Sequence, residues 1–319
     1  MKDNFGREIN YMRISVTDRC NLRCKYCMPA DGINNIGHES ILSFEDIERI
    51  VRASVDLGIH KFRITGGEPL VRKGIEELIG KISQIEGVED LALTTNGILL
   101  AQYAEALKKA GLKRVNISLD TLYMEKYADI TRGGDIYAVM DGMDAAVLAG
   151  LLPIRLNVVV MEGFNDDEIL NFAQLTINEP FDIRFIELMP IGHADTVVDY
   201  KYMSNQDIKK MMSGLVPVET GDSVAEYYKY PGAAGRIGFI SPMSDHFCGT
   251  CNKIRLTADG KLKPCLHTNE EYDLSEVLKS GDDEMLKKAI ANAILHKSDR
   301  HHLGDGAAPI NRDMNTIGG

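Results

Sequence analysis

The chain has 319 residues, of which 44% are hydrophobic and 26% charged. That is a globular composition, which excludes wholesale disorder and gives length enough for a full core. The 36 Lys and Arg against 47 Asp and Glu leave a net charge of −11, which excludes a polybasic surface for nucleic acid or anionic membrane. A polyanion, if bound, must be held by a local cluster of cations. No apolar run reaches bilayer length, since residues 151–161 are interrupted by Arg155. Residues 1–7 lack the apolar core of a signal peptide, so a reducing cytosol is the expected compartment.

Residues 10–16 alternate and read as a first strand that ends at Thr17-Asp18-Arg19. Residues 43–57 read as a helix with Ser43 as N-cap, Asp46 in the first turn and Ile47, Ile50, Val51 and Val55 on one face. A short strand at 61–65 runs into Gly66-Gly67-Glu68-Pro69, and a helix over 74–85 follows. Three further strand-and-helix units are predicted: 91–95 with 99–110, 115–119 with 136–149, and 153–161 with 166–176. A sixth strand spans 183–187. Six strand-led units in succession call for parallel pairing with right-handed crossovers. The fold class is therefore α/β, a partial (β/α)6 TIM-like barrel, with a doubly wound open sheet as the alternative. Beyond about residue 188 the alternation stops. A helix near 204–212, hairpin-like sequence to 266 and a helical stretch over 274–296 read as a C-terminal cap, dividing the chain into 1–198 and 199–319.

The six cysteines fall in two groups of three. Cys20, Cys24 and Cys27 form Cys-x3-Cys-x2-Cys just past the first strand. Cys248, Cys251 and Cys265 form Cys-x2-Cys-x13-Cys. Three thiolates leave one position of a tetrahedral or cubane site without a cysteine. Structural zinc wants four closed ligands, which Asp18 or His38 would complete in the first group and His246 or His267 in the second. A four-iron cluster instead keeps one iron open to another ligand. Residues 74–82 nearly spell a P-loop but have one residue too many and Ile82 where Ser or Thr belongs, so they read as an amphipathic helix. His296, His301 and His302 read as exposed histidines near a terminus.

The first cysteine motif, with Gly66-Gly67-Glu68-Pro69 one strand later, resembles the cluster and amino-group motifs of radical S-adenosylmethionine (SAM) enzymes. Further segments resemble, in order along nearly the whole chain, the GTP 3′,8-cyclase family of molybdenum cofactor biosynthesis. They include Met12 to Cys20, Phe62 to Leu70, Leu93-Thr94-Thr95-Asn96-Gly97, Asn116-Ile117-Ser118-Leu119-Asp120, Phe185 to Pro190, Gly238 to Pro242, Cys248 to Leu256 and the tail Met314 to Gly319. The resemblance implies two [4Fe–4S] clusters, one on Cys20, Cys24 and Cys27 and the other on Cys248, Cys251 and Cys265. It implies SAM contacts at Tyr26, Gly67, Ser118 and Met189. GTP contacts are implied at Arg13, Lys61, Arg63, Thr94, Arg155, Arg184, Lys253 and Arg255, with a Gly318-Gly319 tail that enters the active site and assists catalysis. The implied reaction takes the ribose 3′ hydrogen with a 5′-deoxyadenosyl radical and joins that carbon to guanine C8. The product is the first intermediate of the cofactor. The family commonly has Lys where this chain has Arg155 and Arg where it has Lys253, swaps that keep charge but change its shape. A homodimer, an external electron donor, and no nucleic-acid or membrane partner are expected. A peptide-modifying radical SAM enzyme with an auxiliary cluster and a zinc-bearing nucleotide-binding protein are the competing readings.

Independently of the resemblance, sites on a parallel barrel gather at the carboxyl ends of its strands. Most of these residues fall there. Arg155 stands apart as a cation inside an apolar strand, read as an inward side chain that meets phosphate.

Overall fold

A computed structural model describes residues 1–33, 36–191, 200–221, 224–245, 247–301, 310 and 312–318. The expected boundary at 198/199, His246, His302 and Gly319 lie outside the described residues. The first half runs β1 (Tyr11–Ser15), α1 (Phe44–Asp56), β2 (Lys61–Thr65), α2 (Ile75–Ser83), β3 (Asp90–Thr95), α3 (Leu100–Lys109), β4 (Arg114–Ser118), α4 (Met124–Thr131), α5 (Ile136–Leu148), β5 (Ile154–Glu162), α6 (Ile169–Asn178) and β6 (Phe181–Glu187). The start of α1 follows from its cap. Ser43 Oγ accepts from Asp46 N, and the Asp46 carboxylate accepts the Ser43 N–H, so two backbone donors at the helix end are satisfied reciprocally.

The second half contains β7 (Lys201–Tyr202), α7 (Asn205–Lys210), β8 (Val216–Val218), β9 (Glu226–Lys229), β10 (Arg236–Ile240), β11 (Lys253–Leu256), β12 (Lys261–Lys263), β13 (Tyr272–Asp273), α8 (Ser275–Ser280), α9 (Asp283–Leu295) and α10 (Met314–Ile317). The single helical stretch read over 274–296 is two helices, because Gly281 takes the left-handed conformation at the end of α8.

Strands β1 to β6 pair in parallel in chain order, as the alternation requires. The second half does more than cover this sheet. β10 pairs in parallel with β6, and β11 pairs in parallel with β1. The hairpin-like region thus extends both edges of the barrel, and β8, β9, β12 and β13 add antiparallel strands outside them. Among the described residues the two ends of the sheet are not joined, so the barrel is open.

Register and the period of two fix what faces inward. Tyr11 and Arg13 stand level with Lys61 and Arg63 on one side and with Lys253 and Arg255 on the other. The alternate residues, among them Met12, Ile14, Ile64, Leu93 and Ile117, are wholly buried and join one core with Ile47, Ile50, Leu78, Ile79 and Ile82 of the surrounding helices. The apolar face of each strand goes to the helices and the polar face goes to the barrel interior. This reverses the usual filling of a closed barrel by branched apolar side chains and leaves a chamber lined with cations and hydroxyls.

Candidate active site

The chamber has a volume of about 340 Å³. All six cysteines line it, three from the loop after β1 and three from the segments flanking β11. All six are free thiols. Two segments more than 200 residues apart in the chain therefore deliver sulfur to one space.

Burial raises Cys20 to about 11 and Cys27 to about 12, and it raises Cys24 as well. Neighbouring thiols, Glu68 and Asp120 add to that, so the first trio lies in apolar, anionic surroundings. The second trio differs. At Cys251 burial is outweighed by Lys297 and Lys253, which pull the thiol below its ordinary value.

The loop that carries the first trio is held by the turn after β2. A Cβ on Gly67 would stand 2.5 Å from Arg19 O and 2.6 Å from Asp18 O, and one on Gly66 would stand 2.7 Å from Thr17 O. Gly67 N and Glu68 N donate to Thr17 O and Arg19 O at 2.7 and 2.8 Å. The glycines are needed because the backbone of the cysteine loop runs directly over them. Glu68 is fully buried. Its Oε1 accepts from Leu70 N at 3.0 Å and Thr95 Oγ1 at 2.8 Å, and its Oε2 accepts from Asn96 N at 2.7 Å. A carboxylate has about four lone-pair positions; three are committed, and one on Oε2 remains for a ligand donor. Burial raises this carboxyl to about 7.

Tyr26, Gly67, Ser118 and Met189 all border the chamber. The Tyr26 hydroxyl donates to Asp120 Oδ2 at 2.6 Å, and Met189 Sδ lies 3.2 Å from His267 Nε2. Asp120 is itself raised by burial to about 6. Six of the eight expected triphosphate-side residues also line it: Arg13, Arg63, Thr94, Arg184, Lys253 and Arg255. Burial and the neighbouring guanidinium groups lower Arg13 to about 9, and burial lowers Arg63 to about 10. Buried Arg63 Nε and Thr94 Oγ1 have no hydrogen-bond partner among the described residues. Like cations crowded in a desolvated space beside unsatisfied donors and a hydroxyl suit a bound polyanion.

Lys61 and Arg155 are not among the lining residues. Arg155 is inward by register, but it lies at the floor, where its Nε is 3.6 Å from Asp182 Oδ2. Asp182 is shared with Arg236, whose Nε and Nη2 donate to it at 3.0 and 2.5 Å. Lys61 opens β2 one level below Arg63. Gly318 reaches the rim from the far end of the chain. Its carbonyl accepts from Arg255 Nη1 at 2.7 Å, it has φ +70°, and a Cβ there would stand 2.6 Å from Thr65 Cγ2. The tail leading to it is anchored twice. Arg312 pairs with Asp259 and Glu271, and Asn315 Nδ2 donates to Asp18 O at 2.8 Å.

Tyr11, Asp120, Asn157, Lys297 and Asn315 also line the chamber and were not read as site residues; His267, read as a possible fourth zinc ligand, lines it too, and His301, expected to be exposed, is buried there with Nε2 3.0 Å from Pro242 O. Strand parity flags Tyr11 and Asn157, each two positions from an inward Arg. Asn315 sits in α10, a single turn too short to show a period, and the others come from loops, where no period operates.

Neither Asp18 nor His38 borders the chamber. Asp18 Oδ2 instead accepts from Ile36 N. Among the described residues no three His, Cys, Asp or Glu side chains are gathered as a single metal ion requires. The donor chemistry, two sets of three thiols spread around one space, fits iron–sulfur clusters rather than closed zinc sites.

Residues 14–176 match the model of the Radical SAM superfamily, and residues 181–303 match Molybdenum Cofactor Synthesis C. The chain is 55% identical to the GTP 3′,8-cyclase of Alkaliphilus oremlandii (strain OhILAs) over 321 residues, all of both chains. It is 53% identical to that of Alkaliphilus metalliredigens (strain QYMF) over 321 residues, again all of both. Among solved structures it shares its fold with Streptococcus suis SuiB bound to S-adenosylmethionine, with a TM-score of 0.62 at 15% identity, over 97% of this chain and 77% of that one. With identity above one half from end to end, the chain belongs to the GTP 3′,8-cyclase family of radical SAM enzymes.

Proposed function

We propose that one chamber holds both reactants of a radical cyclisation, SAM beside the first thiol trio and GTP beneath the second. The observation that supports this reading is the convergence of six free thiols on a cation-lined barrel interior. Cys20, Cys24 and Cys27 would hold one [4Fe–4S] cluster, and Cys248, Cys251 and Cys265 the other. When bound, the first cluster would supply the one-electron chemistry that divides SAM into methionine and a 5′-deoxyadenosyl radical, and the second would stand against GTP.

The chain's own groups bind and orient. Glu68 offers its remaining lone pair to the SAM amino group, and Tyr26, fixed by Asp120, borders the nucleoside. Arg13, Arg63, Arg184, Lys253 and Arg255 take the triphosphate charge. Gly318 closes the rim beside Thr65, and the Gly318-Gly319 tail would assist the cyclisation. Arg155 and Lys61 stand behind the first rank of cations, which they reinforce through the field. The barrel at 1–198 is the radical-generating part, and 199–319 the part that covers substrate. A homodimer and a separate low-potential electron donor complete the working system.

SuiB has the same fold at low identity, so architecture alone does not separate substrates; the cationic interior favours a nucleotide. The test is a Cys248→Ser variant incubated anaerobically with SAM, GTP and dithionite. It is expected to release 5′-deoxyadenosine without a cyclised guanosine product. Normal product formation would remove the second trio from the reaction.

A further inference from the structure

Two buried cations, Arg7 and the chamber-lining Lys297, hold the backbone that carries the second thiol trio. Arg7 precedes the first strand. Its Nε pairs with buried Asp3 at 2.6 Å, and its Nη1 donates to Cys248 O and Asp299 O, both at 2.9 Å. Lys297 follows α9 and is 2% exposed. Its ammonium donates to Pro264 O at 2.6 Å and Lys253 O at 3.0 Å. One acceptor immediately precedes Cys265, and the other lies two residues past Cys251.

The charges of these cations are not balanced alike. Arg7 has a carboxylate, but among the described residues Lys297 meets only carbonyl oxygens. A desolvated ammonium with no counter-ion is costly, and here it borders the chamber beside three thiols. Glu68 and Asp120 line the chamber with the first trio, and among the described residues the lining lysines are Lys253 and Lys297, both at the second.

We propose that Lys297 is a positioning residue for the second centre: it ties the Cys251 and Cys265 arms together through backbone carbonyls and supplies the positive charge that favours the more negative oxidation state of the centre they hold. The step concerned is transfer of one electron from an external reductant to that centre, with no bond or proton moving. The inference rests on the two-cluster reading.

The test uses the full chain loaded with iron and sulfide, in wild-type, Lys297→Arg, Lys297→Gln and Lys297→Met forms. Iron per chain is counted, and reduced clusters are titrated by EPR at poised potentials. Addition of SAM distinguishes the first centre, whose signal it perturbs, from the second, whose signal it leaves. Lys297→Gln can still donate to both carbonyls but carries no charge. It and Lys297→Met are expected to lower the reduced-to-oxidised ratio of the second centre at least about tenfold at fixed potential, a midpoint shift of about 59 mV. Lys297→Arg should stay within about twofold, and the SAM-perturbed signal should not move in any form. Selective loss of the second centre from Lys297→Gln also upholds the proposal. A wild-type ratio in Lys297→Gln overturns it, whatever Lys297→Met does. Wild-type protein with iron at the first trio alone would instead overturn the two-cluster reading beneath it.

Discussion

The Glu68 carboxylate accepts from Leu70 N, Thr95 Oγ1 and Asn96 N, and burial raises it from 4.5 to about 7. Between those values the native chain keeps a proton that the unfolded chain has released. Stability therefore falls as pH rises through this window, by up to roughly 3 kcal/mol for a shift of this size. Asp120, raised from 3.8 to about 6, adds the same slope at lower pH, which leaves the interval from 6 to 7 to Glu68. In the iron-free protein, Glu68→Gln should flatten thermal stability across pH 6–7. It should also cost about 1–3 kcal/mol at pH 8, because an amide NH2 must face one of the three donors. An unchanged slope would mean that Glu68 is ionised throughout. The role of Gly318 is equally local. Alanine there must hold φ +70° and meet Thr65 Cγ2 at 2.6 Å. Gly318→Ala should lower product formation about 100-fold, with SAM affinity within about twofold. Thr65→Ser, which removes the opposing methyl, should restore part of the rate. Equal losses with and without Thr65→Ser would contradict the contact.

At the scale of elements, α1 was legible because Ser43 and Asp46 write its start, and β1 to β6 because each is a short apolar-alternating run before a helix. The inward ranks were half legible. Arg13, Arg63 and Arg184 stand out as cations in such runs, but that Arg13 and Arg63 share a level while Arg184 pairs with Asn157 depends on register between strands, which one sequence does not carry. For the same reason Arg155 was read as meeting phosphate, while its strand position sets it beside Asp182 at the floor. β10 and β11 were read as hairpin because no α-helix leads directly into either strand; their partners, β6 and β1, lie dozens to hundreds of residues away. The tail belongs to this scale too. Arg312 ties it to Asp259 and Glu271, and Lys263, wholly buried, joins the same network. Breaking such a buried network is expensive. Arg312→Met should expose the last residues to carboxypeptidase and slow cyclisation more than it slows SAM cleavage, and a tail as protected as in the wild type would contradict the anchor.

Across the whole molecule, the net charge of −11 and the cationic chamber are complementary. A net negative charge disfavours non-specific binding of polyanions, while the barrel interior concentrates positive charge where solvent is scarce. The parallel sheet brings the two thiol trios to one space by adding β11 beside β1, so the second half of the chain extends the open barrel that the first half begins. Among the described residues no helix is long and apolar enough to cross a membrane. The central claim is that both reactants share this chamber, with the ribose of GTP within reach of the radical formed from SAM. Its most direct test is anaerobic turnover with GTP deuterated at the ribose 3′ carbon, followed by mass analysis of the 5′-deoxyadenosine released. One deuterium in that product is the expected result; unlabelled 5′-deoxyadenosine formed alongside cyclised guanosine would contradict the shared chamber.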